Sequence, residues 1–72
     1  MDIKDIITFD DNKKYVLCNK TKYNDRMYYY FTDMYDPSNI KICYLDNADV
    51  VEIMDQETIS KLLVLFAQNS GV

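Results

Sequence analysis

The chain has no histidine and no tryptophan, one glycine (Gly71), one proline (Pro37) and two cysteines, Cys18 and Cys43. Each scarcity excludes something. Without histidine there is no side chain whose ordinary pKa lets it shuttle protons near neutral pH, and no Cys-His set for zinc. One glycine rules out a glycine-rich phosphate loop, a Gly-x-Ser-x-Gly elbow and a calcium loop with its turn glycine. No run approaches the roughly 18 apolar residues of a membrane span. The start, Met1-Asp2-Ile3-Lys4-Asp5, lacks the basic and apolar regions of a secretory signal. We therefore expect a cytoplasmic protein of a bacterial host cytosol, with both thiols reduced and packed as small buried side chains. Positive charge is also scarce: 8 Lys and Arg stand against 12 Asp and Glu, for a net charge of −4. That balance opposes general binding to phosphate backbones. It suits a partner protein with a basic surface.

Seven tyrosines and three phenylalanines make up for the missing tryptophan. They bury much area with little loss of rotamer freedom. With 72 residues there is room for one domain, and a domain of that size buries only about 60% of its unfolded surface. Some tyrosines must therefore face solvent.

With so little glycine and proline, Asn and Asp must make the turns. The β-prone runs between them place strands at residues 6–9, 14–23, 26–33, 40–45 and 50–54. Turns fall at Asp10–Lys13, Asn24-Asp25, Met34–Asn39 (around Pro37) and Asp46–Asp49. The period then changes. Ile59, Leu62, Leu63 and Phe66 follow the i, i+3, i+4, i+7 stripe of a helix over 56–68, with Asp55 as its N-cap and Asn69 or Gly71 at its end. The expected fold is α+β: a small antiparallel sheet or curled meander of four to five strands, followed by one C-terminal helix.

Alternation along the strands puts Met27, Tyr29 and Phe31 on one face and Tyr28 and Tyr30 on the other. The first set, with Ile40 and Ile42, is the more apolar and is expected under the helix. That leaves Tyr28 and Tyr30, with Tyr15 or Tyr23, as an exposed amphipathic patch. The alternative is a sheet curved enough to bury both faces.

The layout resembles a family of short proteins of low-GC Gram-positive bacteria and their mobile elements, the domain-of-unknown-function family numbered twelve ninety-two. The resemblance spans nearly the whole chain. It rests on Ile7-Thr8-Phe9 with the Asp11-Asn12 turn, Tyr15, the Tyr28 to Asp33 strand, Val51-Glu52-Ile53, Asp55-Gln56-Glu57 and the Leu62 to Phe66 helix. It implies a cytosolic protein with no known catalytic residue. The chain departs from the family pattern in being less acidic, richer in tyrosine and nearly free of glycine.

The function expected from these features is a non-catalytic protein-binding module. A phage or mobile-element inhibitor of a bacterial defence protein, such as a CRISPR nuclease, is its concrete form. Tyr28, Tyr30 and Tyr35 would be the anchors, and Asp33, Asp36, Asp46, Asp49 and Glu52 would meet the basic surface. The alternatives are a homodimer built on the tyrosine face and, more remotely, a single-stranded nucleic-acid binder. No cofactor or metal is expected, since Asp10-Asp11 and the Asp46/Asp49 pair read as solvated turns.

Overall fold

The computed structural model describes residues 2–70, with side chains described through Gln68. Five strands form one antiparallel sheet whose spatial order follows the chain: β1 (Ile6–Thr8), β2 (Lys14–Tyr23), β3 (Arg26–Asp33), β4 (Ile40–Asp46) and β5 (Asp49–Glu52). One helix follows, α1 (Gln56–Ser70). The sheet curls into a half-barrel. The α+β meander with a C-terminal helix is therefore the observed architecture. β5 is shorter than expected, with Ile53 and Met54 outside it, and α1 runs past Asn69; Gly71 lies outside the described residues.

The turns work without glycine. Asn12 (φ 63°), Asn24 (φ 51°), Asp25 (φ 62°) and Asn47 (φ 57°) all take the left-handed conformation. Short polar side chains tolerate it better than branched ones. Two consecutive positive φ values at Asn24-Asp25 are the signature of a type I′ hairpin, whose twist matches that of the strands it joins. At the start of α1, the Asp55 carboxylate accepts from the Thr58 amide (3.1 Å) and hydroxyl (2.6 Å), so the N-cap is where the sequence puts it.

The pairing register decides which side chains share a face. Tyr29 lies opposite Cys43, and Tyr30 opposite Ile42. Ile40 and Ile42 therefore share a face with Tyr28 and Tyr30, not with Tyr29 and Phe31. The helix covers that face: Tyr28, Ile42, Leu62 and Phe66 form one buried cluster, with Tyr23, Tyr30, Tyr44, Ile53 and Ile59 around it. The expected placement of Met27, Tyr29 and Phe31 beneath the helix is thus corrected. Tyr29 and Phe31 point into the hollow of the curl, where they bury Tyr15, Leu17 and Cys43 with Ile7, Phe9 and Leu45. Met27 stays exposed at the strand's start.

A bulge lets one strand serve both clusters. The β2–β3 register shifts between Leu17 and Asn19. Before it, Tyr15 and Leu17 face the hollow. After it, Asn19 and Thr21 face the helix, and the Asn19 side chain donates to the Phe66 carbonyl (2.9 Å). The extra residue is Cys18, which is exposed, not buried as expected; its sulfur lies 3.2 Å from the Thr32 hydroxyl. Bulges bend strands and raise twist, which favours the curl of the sheet.

Candidate functional site

Along the hollow, the inward side of β4 reads Lys41, Cys43, Leu45. Lys41 is the odd member, a cation at the mouth of an aromatic cluster. Its side chain is 17% exposed and pairs with Glu52 on β5 (3.0 Å) and Asp11 in the β1–β2 turn (3.9 Å). The ammonium also lies 5.5 Å from the Phe9 ring centre and 5.4 Å from that of Tyr15. Burial works against the charge, but the hydrogen bond and charge of Glu52, with Tyr15 and Asp11 behind it, outweigh this and raise the Lys41 pKa. The cation is fixed in place.

A hydrogen-bond chain continues from there. The Tyr15 hydroxyl donates to Asp11 (2.8 Å) and accepts from the Asn39 amide (3.0 Å). Asn39 also reaches Asp33 (3.4 Å), whose other oxygen accepts the Tyr35 amide (2.8 Å). Tyr15 is fully buried and its pKa is raised, first by burial and then by its bond to Asp11. The same bond lowers Asp11. Asp33 is lowered chiefly by the Tyr35 amide. Cys43 is pushed up to about 12 by burial and by Glu52, so its thiol stays neutral.

Two clefts meet at the Lys41–Glu52 pair. One, of about 330 Å³, opens between β1 and β5 and is lined by Ile7, Thr8, Phe9, Asp10, Asp11 and Val50 as well as the pair. The other, of about 320 Å³, lies between the sheet and the start of α1, with Ile40, Ile42, Ile53, Met54, Gln56 and Ile59. Met54 is 75% exposed at its rim. Together they make a continuous surface, apolar at the helix end and acidic at the strand end. Among the described residues, no group of three or more His, Cys, Asp or Glu side chains is placed to hold a metal ion.

Of the residues expected to bind a partner, Glu52 belongs to this surface. Tyr28 is 7% exposed, packed between Tyr23 and Tyr44 with ring centres 6.3 and 6.0 Å away, so it is no surface anchor. Tyr30 is half-buried edge-on against Phe66 (5.4 Å). Tyr35 is 83% exposed on the β3–β4 loop. Asp33 is buried and Asp36 caps its own turn through Ser38 (2.6 Å) at that same end of the sheet. Asp46 and Asp49 flank the β4–β5 hairpin at the other end, level with the start of β3. At about 3.3 Å per residue, roughly 20 Å of strand separates the two acidic groups. They do not form one patch.

Lys41 was not singled out from the sequence. Its signal was a charge inside a strand between isoleucines, on the same alternation as Cys43 and Leu45. No family model, no curated protein and no solved structure matches the chain.

Proposed function

We propose that this chain is a non-catalytic module that binds another protein through the surface joined by the Lys41–Glu52 pair. The observation that carries the reading is the junction itself: an exposed methionine and an isoleucine-lined groove run directly into an acid-rimmed cleft. Apolar surface bordered by charge is the anatomy of a binding face. The titratable groups support a role without catalysis. The shifted carboxylates, Asp11, Asp33 and Asp55, are all lowered, which makes them poor general acids and weak bases at neutral pH. The buried thiol of Cys43 is raised, the opposite of an activated nucleophile.

The net charge of −4 favours a basic partner surface. A nuclease of bacterial defence, with its basic nucleic-acid channel, is a partner of that kind, and it agrees with the resemblance to a family of bacterial and mobile-element proteins. Two unpaired thiols agree with a reducing cytosol. No helix among the described residues is long and apolar enough to cross a membrane.

The test is affinity capture from a low-GC Gram-positive lysate, with wild type beside Met54→Asp and mass spectrometry of the eluates. One prey protein whose recovery falls about tenfold with the variant, and falls again with added salt, is expected. A folded wild-type bait that retains nothing, or one that sediments as a dimer at micromolar concentration, would overturn the reading.

A further inference from the structure

The surface around Lys41 has a second property, which lies in the backbone. β1 and β5 are the two edges of the sheet, and among the described residues no backbone hydrogen bond joins them. Yet Ile7 of β1 and Val50 of β5 line one cleft. The ladders are staggered, as the shear of a barrel requires, so the curl brings these edges to face each other across a seam.

The atoms facing the seam can be identified. The Ile53 amide donates to the Ile42 carbonyl, which makes that register pair a hydrogen-bonded one. Bonded and non-bonded pairs alternate along an antiparallel ladder. Val50 and Glu52 therefore sit in non-bonded pairs, and their amides and carbonyls turn away from β4 into the seam. On β1, Leu17 donates to the Asp5 carbonyl and Phe9 to the Lys13 carbonyl. By the same alternation, Ile6 and Thr8 turn their backbone groups outward.

Strand direction selects the occupant. Each of the four pairings is antiparallel, so β1 and β5 run parallel to each other. One strand entering antiparallel to both edges would close an all-antiparallel barrel of six. A hairpin of two strands would leave one of its pairings parallel. Charge sets the side chain: the cleft carries Asp10, Asp11 and Glu52 against Lys41 alone.

We propose that the seam takes a single extended segment of a partner polypeptide as a sixth strand, with a Lys or Arg side chain directed at Glu52 and Asp11. The segment is short, because β1 has three residues and β5 four. Such strand addition gains affinity from main-chain hydrogen bonds and specificity from alternate side chains. This inference rests on the protein-binding reading above and adds the partner's conformation and charge.

The probe is a phage-displayed library of random heptapeptides selected on the purified protein. Selected peptides are expected to carry one basic residue at a constant position and to lose binding when N-methylated at alternate residues. They should slow hydrogen exchange at the amides of Ile6, Thr8, Val50 and Glu52 as followed by NMR. Glu52→Gln should weaken them about tenfold. Peptides that instead protect the Ile53–Ile59 groove would overturn strand addition while leaving the binding module intact. A library that yields no binder, beside a lysate partner that still binds, would do the same. A dimer of the protein alone, protected at those four amides, would replace the foreign segment with a second copy and overturn the proposal.

Discussion

Leu17 and Leu62 are both fully buried, one in the hollow of the curl and one between helix and sheet. Truncating each to alanine makes the same chemical change in the two clusters. A buried Leu→Ala substitution costs about 3 kcal/mol, from lost transfer energy and the cavity left behind. At about 0.05–0.15 kcal/mol per residue, 72 residues provide roughly 4–11 kcal/mol in all. Either variant thus removes a large fraction of the stability, a fall in Tm of roughly 12–24 °C. The bulge in β2 ties the clusters together, since Leu17 precedes it and Asn19, just after it, holds the Phe66 carbonyl. Both variants should therefore unfold in one step. Urea titrations followed by helical circular dichroism and by tyrosine fluorescence should give coincident curves, with a lower midpoint and an unchanged slope. A Leu62→Ala variant whose helical signal melts ahead of its tyrosine signal, or one that costs under 1 kcal/mol, would refute the reasoning.

Three further outcomes follow from the titrating groups. Cys43 is raised from 9.0 to about 12 and is fully buried. A thiol reagent at pH 8 should label one sulfur per folded chain, Cys18, and two after urea; equal labelling of both in the native state would contradict the burial. Because the folded pKa is raised, the stability due to Cys43 is complete below 9 and fades as pH rises toward 12, at about 1.4 kcal/mol per pH unit, and Tyr15 adds a loss of the same sign above 10. Cys43→Ala should flatten the Cys43 part of the alkaline slope in pH-dependent urea titrations. Asp33 works the other way. Its pKa lies below 3.8, so its stabilisation holds above that value and disappears as pH falls through the lower, folded one. Asp33→Asn should show a shallower loss of Tm between pH 4 and pH 2 than wild type; an identical acid profile would remove Asp33 from the account.

Much of the fold was legible because it is encoded locally. Strand composition, Asn and Asp at the turns and the stripe from Ile59 to Phe66 each need only a few neighbouring residues. The faces were not legible, because a face depends on the register between strands, set for β3 and β4 across the loop that joins them, and because β2 changes face at a bulge. Nothing about Cys18 in the sequence announces that it is the extra residue, yet strict alternation without a bulge would put Tyr15 and Thr21 on the same side. Apolar character grouped Met27, Tyr29 and Phe31 with Ile40 and Ile42 under the helix, but register puts Ile40 and Ile42 on the opposite face, Met27 is exposed, and Tyr29 and Phe31 fill the hollow of the curl. The site was obscured for the same reason. Lys41, Glu52 and Asp11 come from three elements and meet only after the sheet has curled, whereas Asp46 and Asp33, which resemble parts of one acidic cluster in the chain, end up at opposite ends of the strands.

The order of the strands in space has a consequence during synthesis. Each strand pairs with the one made just before it, so the sheet can assemble progressively with short loop closures as the chain leaves the ribosome. Its helix-side face, with Tyr28, Tyr30 and Ile42, has no cover until α1 follows. Until that helix docks, an aromatic and aliphatic face stands open on a sheet that is already paired. Whatever delays the docking of α1 lengthens that exposure without changing the folded protein.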